Sequence, residues 1–362
     1  MKRIAILAIL IAGLVSSAAQ AGELFEKIKL GGDFRHRYEL IQDESKDYDR
    51  HRMRIRMRLG LNVEMFEDLT IGARLATGSD DPLSTNQTLS GAFTTKGWHL
   101  DRAYFDWHPA KAKGLKVVGG KMGLPFMNVE KTELIWDGDL SPEGMAATFK
   151  AKANEKATFF MTAAYFSIME NKSESDLYMG GGQVGLKVEA SDEAWFSIGG
   201  GYYDFSEIKE SGPLYDGSFF GNTTCDTVDV FANDYKLAEV LGEFGFKRDK
   251  ISIVVYGDYV NNTGADSLNT GYLFGATFKH GKDKGNVKLY GNYRELEDDA
   301  VLGVFTDSDF RGGGTNGNGF ELGASYGIAK KVDLAGTLFI NKKGIDEEVD
   351  YKRFQLDLKM KF

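Results

Sequence analysis

Nine arginines crowd the first third of the chain: Arg35, Arg37, Arg50, Arg52, Arg54, Arg56, Arg58, Arg74 and Arg102, of thirteen that follow residue 21. Guanidinium groups stay charged and match carboxylates and phosphates in geometry, so a file of them can guide anions or polarise an aqueous passage. The densest run is RHRMRIRMRLGLNVEMF, Arg50 to Phe66, with Arg at every even position to Arg58 and apolar residues or His between. At about 6.6 Å spacing along an extended chain, neighbouring arginines repel by about 0.6 kcal/mol in water and several-fold more in a confined space. They need opposing charge. The stretch GLPFMNVEKTELIWDGDLSPEG offers Glu130, Glu133, Asp137, Asp139 and Glu143.

Other chemistry is thinner. Asp80 and Asp81, and Asp307 and Asp309 in TDSDFRGGGTNGNG, are weak candidates for Ca²⁺ or for divalent bridges to lipopolysaccharide, although Gly- and Asp-rich stretches are more often plain flexible turns. Catalysis would need a His, Ser or Asp constellation, and the five histidines (His36, His51, His99, His108, His280) have no convincing partner at short range. Neither an enzyme nor a cofactor is expected. Cys225, the single cysteine, excludes an intramolecular disulfide.

The elements that position the arginines follow from their period. In a helix, side chains two apart fall on opposite sides and would spread charge and grease all round. In a β-strand, the five arginines of the run share one face, and Met53, Ile55, Met57, Leu59, Leu61, Val63 and Met65 share the other. Sixteen such segments run from Lys27 to Phe362, for example Val332 to Asn341, Ile251 to Tyr259 and Ala157 to Tyr165. Short connections (Glu67-Asp68, Arg248-Asp249, Lys330-Lys331) alternate with long polar ones around 78–97, 124–143, 205–235 and 295–318.

Compartment comes from the start of the chain. Lys2 and Arg3 precede an apolar run, Ile4 to Val15, and small residues ending at Ala21, which reads as a secretory signal peptide over residues 1–21. Removing it changes the formal charge from -9 to -11 by taking away two positive charges, which argues against a nucleic-acid partner. No later stretch reaches the ~18 apolar residues of a spanning helix. Short turns at one end, long loops at the other and an even strand number instead fit an all-β, transmembrane antiparallel barrel of about 16 strands over residues 22–362, with short periplasmic turns and long extracellular loops.

Two details favour lipid over the core of an exported β-sandwich or solenoid. Outward-phase Tyr165, Tyr202, Tyr259, Tyr272 and Tyr293 gather at the long-loop ends, and Phe149, Phe246, Phe278 and Phe362 at the short-turn ends, as interface girdles do. Gly257, Gly291, Ala276 and Ala324 in the apolar phase would leave holes in a packed interior. The arginines must then face the lumen, because each one turned outward near the midplane would cost about 2–4 kcal/mol. Asp33 and Glu39 share their phase on the first strand. The glycine triplets at Gly180–Gly182 and Gly199–Gly201 are read as easing curvature or close subunit contact.

The stretches GGDFRHRYEL, DRHRMRIRMRLGLNVEMFEDLTIGARLATGSDDP and WHLDRAYFDWHP, with the alternating FQLDLKMKF that ends in Phe362, resemble the bacterial "putative porin" family, related in architecture to general trimeric porins. The resemblance implies a sixteen-stranded barrel, a homotrimer, contact with outer-membrane lipid and lipopolysaccharide, and passive passage of small hydrophilic solutes and ions. It also implies that Phe354, Leu356, Leu358, Met360 and Phe362 form the signal for the barrel-insertion machinery, and that the third long loop folds into the lumen so that its acids face the basic wall. The loop signature of the best-studied porins is absent, with Leu124-Pro125-Phe126 in its place. An anion- or substrate-selective channel using the arginine wall is the alternative. An energy-coupled transporter is not expected, since only a few residues separate Ala21 from the first strand and leave no room for a plug.

Overall fold

The computed structural model describes residues 27–362, so the leader expected over residues 1–21 lies outside the described residues. The elements are β1 (Ile28–Asp43), β2 (Arg50–Phe66), β3 (Leu69–Ala76), β4 (Gln87–Thr88), β5 (His99–Trp107), β6 (Leu115–Lys121), β7 (Glu143–Lys152), β8 (Ala157–Met169), β9 (Leu177–Glu189), β10 (Ala194–Ser206), β11 (Tyr235–Arg248), β12 (Ile251–Asn262), β13 (Thr270–His280), β14 (Val287–Leu296), β15 (Gly317–Ala329), β16 (Val332–Lys343) and β17 (Val349–Lys361). The outward phase is apolar along the spanning strands, while the inward phase is polar on most and carries buried Phe205, Leu237, Leu241, Val254 and Leu273 on β10 to β13.

Every spanning strand pairs antiparallel with its neighbours, and β1 pairs with β17 from Asp33↔Lys361 to Asp43↔Tyr351, which closes the sheet into a barrel. Closure matters physically: in hydrocarbon an unpaired backbone edge has no water to satisfy it. Sixteen strands span and β4 is an addition. Its origin is a length mismatch. β3 has 8 residues against 17 in β2, and it leaves the β2 ladder at Arg58, so Gln87 and Thr88 take up the vacant edge at Ile55 and Arg54. The backbone N–H of Leu89 donating to Met53 O at 2.8 Å extends the clip.

The outward face is apolar and exposed, as at Met53, Leu61, Ile71, Val184, Ile198, Val240, Phe274, Leu322 and Leu356, while inward Arg35, Arg37, Arg54, Gln183, Asp258 and Thr277 are buried. Phe354 and Leu356 lie on the outward face of β17, in phase with Leu358, Met360 and Phe362.

Inward glycines face inward aromatics across the ladder. Gly72 lies opposite Tyr104, Gly275 opposite Tyr256 and Gly323 opposite Tyr290, each ring lying over the bare backbone of its glycine. Such pairs shield glycine backbone and admit a bend where a side chain would not fit. The triplets serve a related end: a Cβ on Gly181 or Gly201 would meet the Tyr203 ring or hydroxyl at 2.8 or 2.6 Å, so these glycines make room for an inward tyrosine.

Gly323→Val puts its Cβ 2.0 Å from Tyr290 Cε1, whereas a Cβ on outward Gly257 has its nearest atom at 3.6 Å. The expected outcome is a loss of about 1–3 kcal/mol for Gly323→Val and little change for Gly257→Ala. The check is the temperature at which the folded barrel loses its compact migration on a denaturing gel.

Candidate functional site

The register brings the arginines of the first strands onto one lumen wall. Arg35 lies opposite Arg56, Arg37 opposite Arg54, and Glu39 opposite Arg52. Arg74 faces Arg102 across β3 and β5, where a bulge between Arg74 and Leu75 leaves Asp101 without a ladder partner. That bulge turns Asp101 and Arg102 both inward: Asp101 pairs with Arg74, and Ser141 Oγ accepts from Arg102 Nε at 3.1 Å and donates to Asp101 Oδ1 at 3.2 Å. Arg50 is exposed, at the long-loop end of β2.

Compensation of this wall comes chiefly from the wall itself. The Arg37 fork takes Asp357 bidentately, Nε to Oδ1 at 2.6 Å and Nη2 to Oδ2 at 2.8 Å. Glu39, with no exposed surface, accepts from Arg52 at 2.6 Å and Arg353 at 2.7 Å, with Arg37 at 3.4 Å and Arg54 at 3.7 Å. Asp33 bridges Arg56 at 2.9 Å and Arg58 at 2.7 Å. Asp309 adds a carboxylate at 3.1 Å from Arg37 and 2.7 Å from Arg353. The expectation that the acids of the 124–143 stretch face this wall therefore needs correction. Of the five, only Asp139 does, at 3.4 Å from Arg56 and 3.2 Å from Arg58.

The other four are spread out. Glu130 reaches Lys279 at 2.8 Å and Lys288 at 3.7 Å, on β13 and β14. Glu133 and Asp137 gather with Asp307, their ligand-capable oxygens within 4.8 Å of one another. Glu143 belongs to β7 rather than the loop; it shares the phase of outward Met145 and pairs with Lys121 at 2.8 Å.

The loop between β6 and β7 enters the lumen because both its polar and apolar groups find wall partners there. The Met127 N–H donates to Gln183 Oε1 at 2.6 Å and the Thr132 hydroxyl to Asp258 Oδ2 at 3.1 Å, while Val129, Leu134 and Ile135 are buried. Phe126 packs edge-on to Tyr203 at 4.8 Å and stacks on Trp136 at 5.7 Å. Apolar side chains of the loop thus pack on the side of the lumen away from the arginines, among the inward Gln183, Glu239 and Asp258.

A second loop, between β14 and β15, also turns in. Ala300, Val301, Leu302, Val304 and Phe310 are buried, which the reading of this region as a flexible outer loop did not foresee. Asp307 and Asp309 part company: Asp307 pairs with Arg294 at 3.1 Å, while Asp309 goes to Arg37 and Arg353, so the two do not form one cation site. Residues that could hold a cation are Glu133, Asp137 and Asp307. Arg294 already supplies positive charge to Asp307. Burial, reinforced by the neighbouring carboxylates, holds Glu133 and Asp137 well above the ordinary carboxylate range. Asp80 and Asp81 lie in the loop before β4, where Asp81 Oδ1 accepts the Leu83 N–H at 2.9 Å.

Inward carboxylates on the far strands, Glu239, Asp258 and Glu321, were not singled out from the sequence, although each occupies the polar phase of its strand. Two cavities of about 650 and 880 Å³ lie at the long-loop end and share Asp81, Ser84 and Tyr215 in their walls.

A closed antiparallel barrel with an apolar outer surface, a charged lumen and inserted loops defines the porin-type channels of the bacterial outer membrane. A family model described as "Putative porin" matches residues 41–233 and 224–362, and the chain belongs to that family. Among solved structures the fold is similar to OprB of Pseudomonas putida at high pH, with 12% identity, a TM-score of 0.62 and coverage of 95% of this chain and 96% of that one. It is also similar to a loop L8 deletion mutant of OmpT, an outer membrane protein of Vibrio cholerae, with 12% identity, a TM-score of 0.52 and coverage of 92% and 99%. No curated protein matches the sequence.

Asp139 yields a pH prediction. Burial raises the proton affinity of its carboxyl, but Arg56 and Arg58 outweigh this and hold it below the ordinary value of 3.8. A depressed value means that the Asp139 pairing is present above 3.8 and is lost only as pH falls below that. Asp139→Asn should shift the zero-current potential of the channel in a KCl gradient toward chloride at pH 7, whereas taking the unaltered chain from pH 7 to about 5 should not reproduce that shift through Asp139.

Proposed function

We propose that the protein is a water-filled passage for passive diffusion of small hydrophilic solutes and ions across the outer membrane, working as a homotrimer after removal of residues 1–21. The observation that carries this reading is the sorting of charge. The lumen wall bears Arg35, Arg37, Arg52, Arg54, Arg56, Arg58, Arg74 and Arg102 beside Asp33, Glu39, Asp101 and Asp357, while the lipid face bears apolar side chains. Fixed ions of both signs at a narrowing hold water and favour hydrated solutes over apolar ones.

Mutual compensation sets the selectivity. Most of the arginines are tied to carboxylates and present little net charge to a passing ion, so the passage is a general one with weak ion preference. Phe354, Leu356, Leu358, Met360 and Phe362 serve as the signal read by the insertion machinery, and the exposed loops meet lipopolysaccharide. No catalytic role is proposed: most of the charged side chains pair with one another, and none is poised around a nucleophile.

The test is conductance of the purified protein in a planar bilayer, compared with Arg54→Ala/Arg56→Ala. The expected result is ohmic conductance with weak selectivity, and in the double variant a shift of the zero-current potential toward cations. A bilayer that stays silent with correctly folded protein would overturn the reading.

A further inference from the structure

The ion-pair cluster on the basic wall does not balance. It holds eight cations, the guanidinium groups of Arg35, Arg37, Arg52, Arg54, Arg56, Arg58 and Arg353 and the ammonium of Lys359 at 3.2 Å from Asp357, against five carboxylates, from Asp33, Glu39, Asp139, Asp309 and Asp357. Among its arginines the shortage is sharpest at two. Arg37, Arg52, Arg56, Arg58 and Arg353 each have a carboxylate oxygen within 2.9 Å. Arg54 has its nearest at 3.7 Å, on a Glu39 already shared among three other arginines. Among the described residues Arg35 has no ion pair; its hydrogen bond goes from Nη2 to the neutral Asn86 Oδ1 at 2.5 Å.

Both residues are buried, Arg35 at 8% and Arg54 at 9% exposure, and the Nε of each is buried without a hydrogen-bond partner. They are diagonal neighbours on the lumen face, since Arg35 faces Arg56 and Arg37 faces Arg54 across the same ladder. The loop before β4 lies against both. Asn86 O accepts from Arg54 Nη2 at 3.4 Å, and Ser84 Oγ lies 3.3 Å from the same nitrogen.

A buried cation without a counter-charge is strongly disfavoured, and two within one cluster more so. We infer that the counter-charge is supplied from outside the chain, by a small oxyanion held between Arg35 and Arg54 at the level of Ser84 and Asn86. The forked N–H groups of guanidinium suit an oxyanion better than a halide, because two oxygens of one ion can be met at once. Entry is on the Arg54 side, from the long-loop end, where Arg54 and Ser84, but not Arg35, line the cavity of about 880 Å³ together with Arg52, Arg353, Asp81 and Asp309. The site deepens the channel reading: within a passage of weak overall selectivity, it is a stop at which small oxyanions dwell.

Inorganic phosphate is the probe, titrated calorimetrically into the full-length barrel in detergent with about 0.1 M KCl as background, an ionic strength that screens exposed charges beyond about 10 Å. The unaltered chain should bind one phosphate per protomer with a saturable heat. Arg35→Gln should weaken binding about tenfold or more, the loss that follows from removing one charge-assisted contact. Asn86→Asp is the second variant: it places a carboxylate where the Asn86 oxygen already touches Arg35, so it should also abolish binding while stabilising the barrel, and a folding defect cannot account for its effect. A flat titration of the unaltered chain, or unchanged phosphate binding in Asn86→Asp, would overturn the proposal. Calorimetry reads binding whether or not the barrel conducts, so a silent bilayer counts against the channel reading alone.

Discussion

Closure of the hydrogen-bond ladder between β1 and β17 is the constraint on which everything else rests. In hydrocarbon every backbone N–H and C=O must find a partner within the protein, and for β-structure only a sheet without edges provides this. Once the sheet is closed, each strand has one face to lipid and one to the lumen, and a period of two decides which side chain goes where. Charge then has a single place to go. A barrel with Arg at five alternating positions of one strand must assemble those charges in a confined space.

How the molecule tolerates that concentration is visible in its ion pairs. Neighbouring strands supply most of the opposite charge at matching heights: Asp33 to Arg56 and Arg58, Glu39 to Arg52, and Asp357 to Arg37. Because these partners are strand residues, the compensation is as rigid as the sheet. The inserted loops add one carboxylate each, Asp139 to Arg56 and Arg58 and Asp309 to Arg37 and Arg353. The loops themselves are held by apolar packing against the opposite side, around Tyr203, Phe126 and Trp136.

The strands were legible in the sequence because each declares its phase locally. Met53, Leu61 and Ile71 are exposed and Arg54 is buried, as the alternation requires. The wall acids Asp33 and Glu39 were legible for the same reason. What could not be read depends on contacts between distant residues. Asp101 turns inward through a bulge that no periodicity marks, β4 exists because β3 stops short of β2, and Glu143 belongs to a strand because the loop is shorter than its polar composition suggests. The run TDSDFRGGGTNGNG has the composition of a solvated turn, yet its Asp307 and Asp309 are drawn inside by Arg294, Arg37 and Arg353. Composition reports what a loop can tolerate, and the partners that await it decide where it goes.

The seam where the ends of the chain meet carries a further implication. Arg37 faces Asp357 across it, with Arg35 opposite Lys359 and Glu39 opposite Gln355. A slip of one residue during closure would turn polar side chains into lipid and be rejected on that ground. A slip of two would keep both faces correct and escape that filter. It would, however, set Arg37 against Lys359 or Gln355 in place of Asp357. The buried pair therefore acts as a proofreading key for the last step of assembly, distinguishing the one register that lipid alone could not choose.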